Sequence, residues 1–260
     1  MRTGSRIAVT IGFIIALAVP APSRAAEIKV LTGRAIYDVL IKLAGDFQRT
    51  SGHKLAPVLA TPKEMSSRIA NGEIVDVVMS GGSLIEDLVQ RGKIVPGSKV
   101  VVARVGMGVA VRAGAAKPDI SSIEAFRHTL LAAKSIVYTD PAVGGTTGIH
   151  FEKVLDRLGI AKENKAKAIL NARAATTPDS EIVARGEAEL GIQLISEIVS
   201  IPGAELLGPL PGDLQKVNVL LGGIVVNARE ADAASALFKF LTSPVAVEVI
   251  KKAGMEPGGS

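Results

Sequence analysis

Past an apolar N-terminal block, the chain alternates short β-branched runs with amphipathic segments. "EIKVL" (27–31) predicts a strand. The segment 35–52 then places Ile36, Val39, Leu40, Leu43 and Phe47 on one face at helical spacing, with Gly52 as its stop. "KLAPVLA" (54–60) predicts a second strand. "PKEMSSRIANG" (62–72) predicts a short helix, with Pro62 in its first turn and Gly72 past its end. "VDVVMS" (75–80) is short and apolar, as in a buried parallel sheet. "GGSLIEDLVQRGKI" starts on glycines and becomes a helix.

The pattern changes after Gly97. "KVVVARVGMGVAVRAG" (99–114) is β-like, contains Gly106 and Gly108, and is too long for one ordinary strand. It predicts a crossing between two lobes. "ISSIEAFRHTLLAA" predicts a helix capped by Ser121 or Ser122. The strand "SIVY" follows, then the glycine-rich loop "TDPAVGGTTG" (139–148), then a helix carrying Ile149, Val154, Leu155 and Leu158. "PDSEIVARGE" predicts a short helix and "AELGIQL" a strand. "NVLLGGIVVNA" (218–228) predicts a second crossing, and two closing helices split near Ser243 and Pro244.

Strand–helix alternation with two long β runs predicts an α/β fold. Its expected form is two lobes with mixed, mostly parallel sheets and a two-strand hinge. Lobe I would be discontinuous, 26–104 plus 222–260, and lobe II would be 105–221. A cleft between such lobes is where a small ligand sits.

The N-terminal block adds a location. Arg2 and Arg6 precede an apolar run (7–19), and Ser23 and Ala25 are small residues before a possible cut. This layout predicts a signal peptide over 1–25 and a soluble protein exported to the periplasm. The apolar run is short for a membrane span, which needs about 20 residues. The formal charge of +5 falls to about +2 once Arg2, Arg6 and Arg24 are removed. No basic block with interleaved aromatics is present, there is no Trp, and aromatics make up 3%. No nucleic-acid partner is expected.

Enzyme signatures are missing. There is no G-x-S-x-G elbow, and "GGTTG" lacks the lysine of a Walker A loop and the full dinucleotide pattern. The chain has no cysteine, and His53, His128 and His150 are scattered without metal-ligand spacing. The expectation is a binding protein with no catalytic residues, metal or cofactor. Five turns rich in glycine and hydroxyl residues fall between predicted strands and helices: "TGRA" (32–35), "TPKE" (61–64), "SGGS" (80–83), "GGTTG" (144–148) and "TTPDS" (176–180). Such turns offer free backbone N–H groups at helix starts, which suits an anion.

The segments "LAGDFQRTSG", "NGEIVDVVMS", "YTDPAVGGTTGIHFEKVLDRLGI", "ARGEAELGIQLISEI" and "SPVAVEVIKKAGM" together resemble periplasmic molybdate-binding proteins. These are type II solute-binding subunits of ABC importers, and the resemblance covers essentially the whole mature chain. It implies the type II periplasmic binding protein fold, a small anionic solute, a membrane permease as partner and a monomer that works by hinge closure. The family's neutral oxyanion donors would fall at Ala35, near Thr61, Pro62 and Lys63, at Thr147, near Thr176 and at Leu194. The first serine and the tyrosine are therefore absent, and Arg34 and Lys63 stand beside the first two turns. A guanidinium matches a carboxylate bidentately, which opens an alternative ligand, a di- or tricarboxylate. Either cation could instead lie at the rim. A sensor or enzyme reusing the fold is the remaining alternative. The expected contacts are Thr32, Gly33, Arg34, Thr61, Lys63, Ser80 and Gly81 from lobe I. Gly145, Thr146, Thr147, Thr177 and Gln193 are expected from lobe II. A ferric site is disfavoured, because Tyr37 and Tyr138 have no tyrosine neighbours.

Overall fold

The computed structural model describes residues 25–143, 145–174 and 176–259. The predicted signal peptide, 1–25, thus lies almost wholly outside the described residues. The first elements are β1 (Glu27–Thr32), α1 (Arg34–Ser51), β2 (Lys54–Leu59), α2 (Pro62–Ala70), β3 (Val77–Gly81) and α3 (Gly82–Gln90). α1 buries the predicted stripe, Ile36, Val39, Leu40, Leu43 and Phe47, and ends on Gly52 at φ 76°. That left-handed conformation suits glycine. β2 tolerates Pro57 because it is the edge strand, paired only with β1.

β4 (Val100–Arg112) is one strand of 13 residues. β5 (Ile136–Thr139), β6 (Ala168–Asn171), β7 (Leu190–Leu194), β8 (Ala204–Pro209), β9 (Val217–Ile224) and β10 (Glu256–Pro257) complete the sheet. Its order is β2-β1-β3-β9-β4-β7-β5-β6, with β8 and β10 also paired to β4. β1 runs parallel to β2 and β3, and β5 runs parallel to β6 and β7. The N-terminal half of β4 pairs with β9 and its C-terminal half with β7 and β8. β4 therefore belongs to both halves of the sheet. Gly108 does not interrupt it. A Cβ there would lie 2.7 Å from Leu206 Cδ1, so the glycine permits close packing.

The second long β run behaves differently. β9 pairs from Val217 onward with β4 and β3, so it lies within the first half of the sheet. The expected division between 221 and 222 falls inside β9. The return from the second half is made just before it. There the Gln215 side chain accepts from Met107 N–H at 2.8 Å and donates to Met107 O at 2.9 Å, as a strand neighbour would.

The remaining helices are α4 (Ile123–Ala132), α5 (Thr146–Arg157), α6 (Ala161–Lys165), α7 (Asp179–Ala184), α8 (Ile195–Val199), α9 (Ala231–Leu241) and α10 (Pro244–Lys252). Ser122 caps α4 by accepting Ala125 N–H. Among the described residues, no single helix is long and apolar enough to cross a membrane. α9 and α10 bury Leu237, Phe240 and Ile250 against the first half. Phe240 meets Phe47 of α1 edge-on at 5.3 Å.

Asp76 ties this C-terminal segment to the N-terminal strands. Its carboxylate is buried and accepts Lys29 N–H at 2.9 Å, Arg229 N–H at 2.9 Å and Glu230 N–H at 3.0 Å. One side chain thereby joins β1 to the start of α9. Asp76→Ala leaves three partly buried N–H groups without their acceptor and should lower stability by on the order of 3 kcal/mol, measured by urea unfolding. An unchanged midpoint would contradict this assignment.

Candidate functional site

The carboxyl ends of the central strands open on a cavity of about 170 Å³ between the two halves. Five helices begin on its wall, at Gly33, Thr61, Gly81, Gly145 and, for the short α8, Leu194. Thr61 caps α2 in a reciprocal box. Its hydroxyl accepts Glu64 N–H, and the Glu64 carboxylate takes the Thr61 N–H at 2.7 Å. Those bonds hold the Glu64 carboxyl below its ordinary range. α1, α3 and α5 start on glycine with no side-chain cap. Their first-turn amides have no intrahelical acceptor, and their dipoles place positive potential on the cavity.

Close packing explains the glycine-rich loop. A Cβ on Gly148 would lie 1.8 Å from Thr139 O. Only glycine lets the first turn of α5 rest against the end of β5, which brings Thr146 and Thr147 to the wall. Gly148→Ala should cost about 1–3 kcal/mol or more by overpacking, read from thermal or urea unfolding. Wild-type stability in this variant would show that the loop has room to shift.

Gly33, Arg34, Thr61, Ser80, Gly81, Gly145, Thr146 and Thr147 line the cavity, as do Ala35, Pro62 and Leu194. Four other expected residues lie off the lining. Thr32 is fully buried, with its hydroxyl turned to Gly33 O. Lys63 is exposed in the first turn of α2. Thr177 gives its carbonyl to Asn171 Nδ2 at 2.8 Å. Gln193 is fully buried and already engaged: Oε1 accepts Ser180 N–H, and Nε2 donates to Glu197 Oε2 at 3.2 Å. Gln193 supports the wall from behind. The histidines are also placed elsewhere. His150 bonds Leu214 O, His53 accepts Ala26 N–H and His128 pairs with exposed Glu124.

Arg34 opens α1 and reaches across the cavity. Its Nη2 donates to Thr176 O at 3.3 Å, its Nη1 lies 3.6 Å from Asp38, and its guanidinium sits 5.8 Å from the Tyr37 ring centroid. It faces two acids. Asp179 is buried, takes bonds from Asn171 Nδ2 at 2.7 Å and Thr139 Oγ1 at 3.1 Å, and is pushed up to about 6 by burial. Glu197 is half-buried and lines the cavity. Burial raises it to about 8, helped by the charges of Asp179 and Asp38 and opposed by Arg34 and the Gln193 bond. At neutral pH, Glu197 is mostly an uncharged acid and can donate a hydrogen bond.

Glu197 and Asn218 escaped sequence analysis. Glu197 sits one turn past the end of β7 in an ordinary helical charge pattern. Asn218 is a lone amide in an apolar strand. Position after a strand end was the one available signal for Glu197.

A two-lobed α/β molecule with positive helix ends at its strand termini is built as a solute receptor. Residues 28–256 match the model for bacterial extracellular solute-binding proteins, and the chain belongs to that family. It is 34% identical over 234 residues to an aconitate isomerase of Pseudomonas sp, covering 88% of this chain and 87% of that one. It is 28% identical over 242 residues to the molybdate-binding protein ModA of Azotobacter vinelandii, covering 89% and 90%. The solved periplasmic molybdate-binding protein of Azotobacter vinelandii superposes with a TM-score of 0.72 at 23% identity, covering 88% and 98%. Family membership implies a small solute, an ABC permease as partner and a periplasmic location.

The two raised acids set a pH dependence. Each folded-state value lies above the unfolded one, so the folded protein keeps protons that the unfolded chain has released. The acids' contribution is fully present below the unfolded values and is lost as pH rises toward about 6 for Asp179 and about 8 for Glu197. Without ligand, urea unfolding should show wild type losing stability relative to Glu197→Gln between pH 6 and 8. Parallel curves would contradict the assignment.

Proposed function

We propose that this protein is a periplasmic receptor for a small organic polycarboxylate, which it holds in the cleft and passes to an ABC permease. Arg34 carries the reading. It supplies a planar cation inside a cavity already ringed by uncapped helix starts, and a guanidinium fork matches a carboxylate. The neutral oxyanion cage implied by the molybdate-binding resemblance is incomplete here. Its serine and tyrosine positions are Ala35 and Leu194, and both put apolar side chains on the wall. The 34% relative is named for aconitate, a tricarboxylate. Uncharged Glu197 can donate to a ligand carboxylate rather than repel it. Ligand contacts from both lobes would favour the closed state.

Isothermal titration of the mature protein with trans-aconitate, citrate and molybdate tests this. The two carboxylates should bind, and Arg34→Ala should weaken them by roughly 2–5 kcal/mol. Binding of molybdate alone would overturn the polycarboxylate reading.

Glu197 favours a second reading, in which the bound ligand is also turned over. Its minor carboxylate form could take a proton from a carbon beside a ligand carboxylate. The same carboxyl would return that proton at the far end of the allyl system, so the double bond moves and no atom is gained or lost. Arg34 and the helix starts would stabilise the intermediate anion. Proton NMR of trans-aconitate incubated with the protein should then show signals of the isomer with the moved double bond, and Glu197→Gln should abolish them. A spectrum unchanged by the protein would leave the receptor reading alone.

A further inference from the structure

We infer that Asn218 is a ligand-binding residue of the cleft, its side-chain amide donating to an anionic oxygen of the solute. The inference rests on the proposed anion site but not on which anion fills it. Asn218 is 8% exposed and lines the cavity. Its Nδ2 has no hydrogen-bond partner among the described residues. Its Oδ1 accepts from Thr146 Oγ1 at 3.1 Å, so the amide's engaged end is Oδ1 and its open end is the buried Nδ2 of a residue on the cavity wall. Buried amide donors are nearly always paired, and one left open costs the empty protein free energy that a ligand atom can restore.

The position is rigid. Asn218 sits on β9 opposite Val105 of β4, with its backbone inside the ladder. Leu220, two residues on, lines the same cavity, as strand alternation requires. The amide therefore projects from a strand that cannot easily move away. Its bond to Thr146 also joins the first half of the sheet to the start of α5. Asn218 thus meets the solute from one side and holds the opposing helix start with its other end. A neutral donor suits the place. It adds attraction for an anion without a second full cation beside Arg34, and it rejects solutes that offer no acceptor there.

Two variants test the inference by titration with trans-aconitate and with molybdate, alongside the melting temperature of the unliganded protein. Asn218→Ala should weaken whichever anion binds wild type by about tenfold. Asn218→Asp keeps the acceptor for Thr146 but replaces the donor with a negative charge, and should weaken binding by about a hundredfold or more. Asn218→Ala also removes the acceptor of the Thr146 bond and should melt slightly below wild type, whereas Asn218→Asp keeps that bond, so an affinity loss larger in Asn218→Asp than in Asn218→Ala separates the lost donor from the lost support. Asn218→Asp binding like wild type would overturn the inference, and so would affinity that falls only in step with melting temperature. Molybdate binding without trans-aconitate binding would defeat the polycarboxylate reading, yet leave Asn218 standing if Asn218→Asp loses molybdate. A wild type that binds neither anion would defeat both.

Discussion

Three helices aim uncapped first turns into one small cavity, and the rest of the site answers to that fact. Gly33, Gly81 and Gly145 bring the starts of α1, α3 and α5 to the wall without a side-chain oxygen on any of their amides. A helix start in this state is satisfied by water or by an anion. α2 shows what the alternative looks like, since Thr61 and Glu64 close its end internally. The sheet makes the convergence possible. Its parallel strands deliver successive chain ends to the same edge, and Gly148 lets α5 seat against β5 at a distance no larger residue permits.

The charged groups then sort themselves around that field. Arg34 adds a full cation at the first turn of α1, next to Asp38 and within reach of the Thr176 carbonyl. Asp179 and Glu197 would oppose an incoming anion if both were ionised. Burial and their mutual repulsion instead favour the protonated form of Glu197. The Gln193 amide holds that carboxyl in place from a buried position. The site thus presents mostly donors at neutral pH, although two carboxyl groups stand in or behind its wall. Whether Glu197 only donates a hydrogen bond or also moves a proton on the ligand depends on the same raised affinity for that proton.

Much of the fold was legible because its elements are long and periodic. The stripe on α1, the cap at Ser122 and the split before Pro244 all announce themselves in residue spacing. Short or polar elements did not. α6 is five residues of "AKENK", and β6 is four residues with Leu170 exposed, so neither offers a period to detect. β9 was read as a crossing because its glycines resembled a hinge, yet hydrogen bonding keeps it beside β3. At the site, the helix starts were visible as glycine–hydroxyl turns. The destination of each side chain was not. Lys63 and Gln193 lie next to lining positions but are not part of the lining: Lys63 is exposed, and Gln193 is buried and engaged with Ser180 and Glu197. Asn218 carries no local signature and Glu197 only its place after the end of β7, and the packing of the two halves brings both to the cavity.

Backbone amide NMR of the mature protein titrated with trans-aconitate tests the central claim most directly. The account predicts that the amides of residues 34–36, 82–84 and 146–148 shift together and saturate at one ligand concentration, while the trimethyl ester leaves them in place. Shifts confined to one helix start, or equal shifts with the uncharged ester, would contradict a cleft that grips an anion with helix ends from both halves.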